Sequence, residues 1–213
     1  MSKMICVMGE SGSGKTTAMR TLDPKTTYYI DVDGKGLTWK GWRDQYSLKA
    51  KNYSKVTDIP KLATVLANIS DNGAHIKTVV IDTLNTAMVD KEVRSMSEKG
   101  YDKWVDLAQY VWTLLKDAAE LRDDLTIIVV MHSETVRDDS GNMWTHLRTN
   151  GRKLEKLVLE SLFNVVLLAK RSDDGAYVFE TAGNHSTAKA PMGALDQEVP
   201  NDMAAVLKAL AEY

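Results

Sequence analysis

The chain has 213 residues, with 27 basic and 29 acidic side chains, and 44% of its residues are hydrophobic. This composition excludes disorder as the main state, and the length suits one globular domain over residues 1–213. No apolar run approaches the roughly 20 residues that cross a bilayer, so we expect no membrane partner. The single cysteine, Cys6, predicts a reduced thiol in a cytoplasmic protein. A net charge of -2 excludes wholesale electrostatic binding to nucleic acid but leaves room for a local basic strip.

Short apolar runs alternate with helical patterns along the chain. The runs predict strands at residues 4–8, 28–32, 78–81, 125–131, 163–169 and 176–181. The third and fourth are apolar on both faces, which is typical of central strands in a parallel sheet. Helical spacing predicts helices at 59–69 and 105–121 and after Pro200, and Asp174-Gly175 predicts a turn between the last two strands. The pattern predicts an α/β fold: a mostly parallel sheet, helices on both faces and a C-terminal antiparallel hairpin.

Residues 9–16 fit the pattern G-x-x-x-x-G-K-[ST] without departure. They follow a predicted strand and precede a segment, 17–22, that is compatible with a helix. Glycines let main-chain N–H groups converge on phosphate oxygens, while Lys15 reaches the β- and γ-phosphates and the Thr16 hydroxyl ligates Mg²⁺. The sequence therefore predicts ATP and Mg²⁺ as ligands of this turn. Its predicted nucleotide-binding residues are Gly9, Glu10, Ser11, Gly12, Ser13, Gly14, Lys15, Thr16 and Thr17.

Two acids at predicted strand ends complete the candidate catalytic set. Asp82 follows the strand at 78–81 and is predicted to hold Mg²⁺ beside Thr16, with a helix cap as the alternative interpretation. The next residue, Thr83, stands where many ATPases carry a catalytic glutamate, so the base must come from elsewhere. Asp33 is the predicted water-orienting base, and Asp31, which should point the same way, is the fallback. A solvated Asp-Gly turn is the alternative for Asp33.

His132 ends the fourth predicted strand, close to the expected γ-phosphate. Its ring can donate a hydrogen bond to phosphate, so we predict a catalytic or sensing role. The alternative is a structural histidine at a strand end.

Taken together, these motifs resemble the RecA-like P-loop ATPase core, and more narrowly the short phage-encoded nucleotide-binding proteins of single-strand annealing and recombination. The resemblance implies a homo-oligomer in host cytoplasm, with ATP at the subunit interface. Lys170 and Arg171, after the fifth strand, would be the cations that reach this ATP, with Lys189 a weaker candidate. A solvated pair of cations is the alternative.

The same architecture implies that loops after the third and fourth strands, residues 83–103 and 135–152, contact DNA. Basic residues interleaved with an aromatic one suit a single strand, because they combine attraction to the backbone with base stacking. The candidates are Arg137, Trp144, Arg148 and Arg152. A mixed-charge surface loop is the alternative.

The resulting hypothesis is a Mg²⁺-dependent ATPase that binds single-stranded DNA and assists recombination or strand annealing. A P-loop kinase for a small molecule is one alternative. A nucleotide-dependent loader that binds a single-strand binding or replication protein is the other.

Overall fold

The computed structural model describes residues 1–97, 102–137, 140–150 and 154–212. The strands of this part are β1 (Lys3–Gly9), β2 (Thr27–Asp31), β3 (Tyr53–Ser54), β4 (Thr78–Asp82), β5 (Thr126–Arg137), β6 (Met143–Leu147), β7 (Val165–Arg171), β8 (Tyr177–Glu180) and β9 (Glu198–Pro200). The α-helices are α1 (Trp42–Gln45), α2 (Ile59–Asn72), α3 (Leu84–Arg94), α4 (Asp102–Ala119) and α5 (Met203–Glu212). Short 3-10 helices lie at Thr17–Thr21, Leu154–Lys156 and Leu159–Leu162.

The strands form one sheet in the order β3-β2-β4-β5-β1-β7-β8-β9, and β6 pairs with β5 outside this path. Pairing is parallel from β3 to β7, whereas β8 and β9 continue the sheet antiparallel. The predicted α/β fold with a C-terminal antiparallel hairpin is therefore confirmed. Because β5 lies between β1 and β4, its polar residues stand between the glycine-rich turn and Asp82.

The sheet has a hydrophobic core on each face, as its alternating side chains require. Met4, Cys6 and Met8 of β1 face one core, which includes α2, α3 and α4. Ile5 and Val7 face the other, which includes the first 3-10 helix and α5. Strand alternation thus buries both faces of β1, and this fixes the position of the turn that follows Gly9.

The predicted helices at 59–69 and 105–121 are confirmed as α2 and α4. The Asp58 carboxylate caps α2 by accepting a hydrogen bond from the Lys61 N–H at 3.1 Å, and Pro60 lies in the first turn, where its missing N–H costs nothing. Among the described residues, no helix is both long and apolar enough to span a bilayer.

Both segments predicted to be DNA-contacting loops contain regular structure. Residues 84–94 form α3, because Leu84, Ala87 and Met88 pack into the core. Strand β5 does not end at 131; it continues to Arg137 and pairs antiparallel with β6. The loop interpretation is wrong for these residues, since core packing supports α3 and antiparallel pairing of the neighbouring strands β5 and β6 satisfies their backbone groups.

Candidate nucleotide-binding site

The glycine-rich turn leaves β1 at Gly9 and folds over the carboxyl edge of the sheet. Gly12 and Gly14 have φ of +80° and +92°, a conformation that side chains disfavour. A Cβ atom on Gly14 would also lie 2.8 Å from Cδ1 of Tyr177. The following segment is a five-residue 3-10 helix rather than the predicted 17–22 helix. The turn therefore requires glycine for both its conformation and its contact with β8.

Lys15 is buried at the base of this turn, with 7% of its surface exposed. Its Nζ donates hydrogen bonds to the carbonyl oxygens of Gly9 and Glu10, at 2.7 and 2.6 Å. Burial lowers the pKa of Lys15 to about 8, although the nearby Asp82 carboxylate acts in the opposite direction. The ammonium is thus costly in this position, and an anion in the cleft would stabilise it.

A cleft of about 280 Å³ lies above Lys15. It brings together the turn, the segment after β2, the start of α3, and side chains of β5 and β8. The lining residues are Ser11, Gly12, Gly14, Lys15, Thr16, Thr17, Lys35, Thr38, Thr83, His132 and Tyr177. The structure thus brings predicted nucleotide-binding residues and His132 around one space, and adds residues that the sequence did not single out.

Asp82 lies buried at the end of β4, where three hydroxyl groups surround its carboxylate. The Tyr29 hydroxyl donates to Oδ2 at 2.5 Å, the Thr83 hydroxyl donates to Oδ1 at 2.8 Å, and Thr16 also donates to the carboxylate. Burial raises the pKa of Asp82 despite these hydrogen bonds. The residue at the N-cap of α3 is Thr83, so Asp82 is not the cap that the alternative interpretation required.

The hydrogen bond between Thr16 and Asp82 lies at the carboxyl edge of the sheet, where a P-loop protein would bind Mg²⁺. It brings an alcohol oxygen and a carboxylate together beside the cleft. Hard oxygen ligands of this kind are those that Mg²⁺ takes in phosphate-binding sites, and a cation would offset the burial of the Asp82 charge. The residues therefore fit the ion.

The two acids after β2 have different environments. The Asp31 carboxylate is buried and accepts hydrogen bonds from the Gly34 and Gly36 amides, both at 2.8 Å, and from the Tyr53 hydroxyl at 2.6 Å. Asp33 lies in the segment that Asp31 holds and is half-buried. Asp31 is thus a structural residue, and the expectation that both acids project alike into the site is wrong.

Asp33 is bound on both carboxylate oxygens. The Thr86 hydroxyl donates to Oδ1, and the Lys35 ammonium forms an ion pair with Oδ2. Although burial acts to raise it, the pKa of Asp33 is lowered by the hydrogen bonds from Lys35 and Thr86. Sequence reasoning missed Lys35, because a lone lysine after Asp-Gly carries no pattern that points to a phosphate.

His132 pairs in register with Gly9, so it lies directly beside the start of the turn. Burial and the nearby Lys15 charge lower its pKa, which keeps the imidazole neutral at pH 7. The prediction that His132 ends its strand is wrong, since β5 continues beyond it. A neutral ring at this position can still donate a hydrogen bond into the cleft.

Strands β5 and β6 form an arm beyond the sheet that carries two of the four predicted DNA-binding residues. Arg137 pairs with Met143, and Val136 pairs with Trp144, which is 42% exposed. Arg148 follows β6, is exposed, and donates its backbone N–H to the His132 carbonyl at 2.9 Å. The fourth candidate, Arg152, lies outside the described residues.

The buried Asn85 side chain connects this arm to α3. Its Oδ1 accepts a hydrogen bond from the His132 N–H, and its Nδ2 donates to the Arg148 carbonyl, both at 2.8 Å. The residue was not singled out in the sequence, because the contact joins segments about 50 to 60 positions apart. It fixes the base of the arm beside the nucleotide cleft.

Lys170 and Arg171 line a second cleft, of about 430 Å³, on the other side of the turn. Lys170 pairs with Glu180 and Glu198, at 2.8 and 3.3 Å, while the Arg171 guanidinium lies 4.6 Å from the centre of the Tyr177 ring. The two cations therefore border the turn of their own chain, and Lys170 is already neutralised there.

Comparison with known proteins agrees with this geometry. A comparison with curated proteins finds none that matches the chain. The model of the AAA_24 family, described as an AAA domain, matches residues 1–190, which include the turn, Asp82, the arm and β8. Domains of this type generally bind ATP and Mg²⁺. The chain therefore belongs to the AAA_24 family of AAA domains and is a P-loop NTPase.

Proposed function

We propose that residues 1–213 act as one RecA-like domain that binds and hydrolyses Mg²⁺-ATP. The observation that carries this proposal is the buried Lys15, which lines the same cleft as Thr16, the hydrogen-bond partner of Asp82. In its present position Lys15 bonds to neutral carbonyl groups. A phosphate oxygen offers it a charged and therefore stronger acceptor.

Thr16 and Asp82 would hold Mg²⁺, which supplies positive charge against the β- and γ-phosphate oxygens. Lys15 and the amides of the turn would bind the same phosphates. The protein's contribution is to fix the triphosphate in a partly water-excluded cleft, where these charges act strongly.

In hydrolysis, the Asp33 carboxylate would accept a hydrogen bond from the attacking water. The water oxygen forms a bond to the γ-phosphorus while the bond to the β,γ-bridging oxygen breaks, so that ADP leaves and the water proton passes to the carboxylate or to phosphate. His132 donates a hydrogen bond to a γ-phosphate oxygen. Its place beside Gly9 supports this role.

We propose further that the β5–β6 arm binds single-stranded DNA during recombination or strand annealing. Trp144 offers an exposed ring for base stacking, and Arg137 and Arg148 offer cations for the phosphate backbone. The arm is continuous with the strand that carries His132, and Asn85 holds both ends of its base. Occupation of the arm should therefore change the cleft and stimulate turnover.

We propose that the chain works as a homo-oligomer with ATP between subunits. The exposed position of Arg171 beside the turn supports this arrangement. The mass in solution should rise when a non-hydrolysable ATP analogue and Mg²⁺ are added. An unchanged monomer mass would contradict it.

The test of the main proposal is phosphate release from ATP, measured with and without single-stranded DNA at two salt concentrations. We expect slow basal release that DNA stimulates, with a smaller stimulation at high salt because salt weakens the backbone contacts. A rate of phosphate release that single-stranded DNA does not change would contradict the proposed role of the arm in DNA binding. A protein that binds ATP but releases no phosphate would contradict hydrolysis.

A kinase that phosphorylates a small molecule is the second candidate. The 430 Å³ cleft beside the turn favours it, since the cleft has the size of a small-molecule site and is rich in hydroxyl groups, including those of Ser133, Thr135 and Thr145. Transfer of labelled γ-phosphate to a nucleoside or metabolite, rather than to water, would support this alternative.

A further inference from the structure

The segment after β2 presents Lys35 on a rigid backbone. The Asp31 carboxylate binds the amides on either side of Lys35, those of Gly34 and Gly36, at 2.8 Å. The Lys55 ammonium binds the Gly34 carbonyl at 2.7 Å from outside. These contacts hold the main chain of the segment, and none of them uses the Lys35 side chain.

The Lys35 side chain lines the nucleotide cleft together with Lys15 and His132. It is 64% exposed, and its ammonium pairs with the Asp33 carboxylate, which also accepts a hydrogen bond from Thr86. The positive charge of Lys35 also opposes that of Lys15. Two lysines in one cleft repel each other, and a bound polyanion would relieve this repulsion.

We propose that Lys35 is a second phosphate-binding lysine, which leaves Asp33 and binds the γ-phosphate when ATP enters the cleft. This inference rests on the proposed nucleotide site and assigns it a preference for triphosphate over diphosphate. Asp33 then keeps its Thr86 hydrogen bond and gains a free Oδ2. The carboxylate thereby becomes available to the attacking water only when a γ-phosphate is present.

The exchange is physically reasonable because the lysine end of the present ion pair is in contact with solvent, with 64% of the Lys35 side chain exposed. An ion pair in contact with solvent contributes little to stability, so little is lost when it breaks. A γ-phosphate offers the ammonium greater negative charge and more acceptor oxygens than one carboxylate does. Lys35 also has no competing task in holding its own segment, since Asp31 and Lys55 do that.

The experiment compares Lys35→Gln with Lys25→Gln, which removes the charge of an exposed lysine that does not line the cleft. Calorimetry with Mg²⁺ measures the dissociation constants of a non-hydrolysable ATP analogue and of ADP. Lys35→Gln should weaken the analogue about 10- to 100-fold and ADP less than about twofold. Lys25→Gln should leave both constants unchanged, and Lys35→Arg should restore the preference for the triphosphate.

Equal weakening of both nucleotides, or no weakening, would overturn the role of Lys35. A wild-type protein that binds neither nucleotide would instead overturn the nucleotide site itself, so the two failures are distinguishable. Thermal unfolding of each variant checks its folding. If Lys35→Gln does not fold, an Asp33→Asn variant provides the second measurement: it should bind the analogue at least as tightly as the wild type, and weaker binding would contradict the exchange.

Discussion

The nucleotide cleft and the β5–β6 arm lie next to each other but are built in opposite ways. In the cleft, Lys15 and Asp82 are buried, and each has several hydrogen-bond partners within the chain. On the arm, Val136, Met143 and Trp144 are each more than 40% exposed. In the proposed function, the cleft would bind its ligand with preorganised groups, whereas the arm would bind DNA through exposed side chains.

This difference implies that the two regions can be altered separately. Substitutions in the cleft should change nucleotide turnover or stability, whether or not DNA is present. Substitutions on the exposed arm should change DNA affinity while leaving nucleotide binding intact. Residues at the junction, His132 and Asn85, are the ones expected to affect both.

The largest effect is expected from Asp33→Asn, next to the cleft-lining Lys35. The amide has the shape of the carboxylate but cannot accept the proton of the attacking water, so turnover should fall about 10²- to 10⁴-fold. Nucleotide affinity should be retained or raised. Steady-state phosphate release and calorimetry measure the two quantities, and an active variant would place the base elsewhere.

A smaller effect is expected from Tyr29→Phe, which removes one of the hydroxyl donors to the buried Asp82 carboxylate. The free energy of unfolding should fall by about 1.5–3 kcal/mol, since a buried charged group loses a hydrogen bond. Urea unfolding measures it. Tyr110→Phe is the matched control, because the Tyr110 ring is 41% exposed; an equal change in both variants would refute the role of this contact.

The smallest effect is expected on the arm, from Trp144→Ala. Loss of one stacking platform should weaken binding of single-stranded DNA by about 1 kcal/mol, or roughly fivefold, the low end for a base-stacking residue. Fluorescence anisotropy with a labelled oligonucleotide measures it, with Tyr110→Ala as an equally exposed aromatic control. If DNA affinity does not change, or if ATP affinity falls equally, the arm and the cleft do not have the separate roles proposed for them.

The sequence was informative where function depends on contiguous residues. The turn at 9–16 and the acid after the strand at 78–81 were predicted with their neighbours, because strand, turn and charge follow one another in the chain. Residues 135–137 and 143–147 of the arm are predicted as part of a loop, because polar residues and Gly141 interrupt the apolar pattern that indicates a strand, although the two segments pair as a hairpin.

The same limit explains Lys35, Asn85 and Asp31. Lys35 is of interest because it pairs with Asp33 and lines the same cleft as Lys15. Asn85 is of interest because its side chain contacts two segments that are distant from it in the sequence. Asp31 had the right spacing to face the site beside Asp33. Its carboxylate instead accepts hydrogen bonds from the Gly34 and Gly36 amides of its own segment.

The central claim is that Lys15 and the Thr16–Asp82 pair bind Mg²⁺-ATP at the edge of the sheet. Its most direct test is calorimetric titration of the wild type and of Lys15→Ala with a non-hydrolysable ATP analogue, with and without Mg²⁺, and with Lys25→Ala as an exposed control. We predict saturable, Mg²⁺-strengthened binding that Lys15→Ala weakens about 100-fold and Lys25→Ala leaves unchanged. Wild-type protein that binds no nucleotide in excess Mg²⁺, or a Lys15→Ala variant that binds as tightly, would contradict the claim.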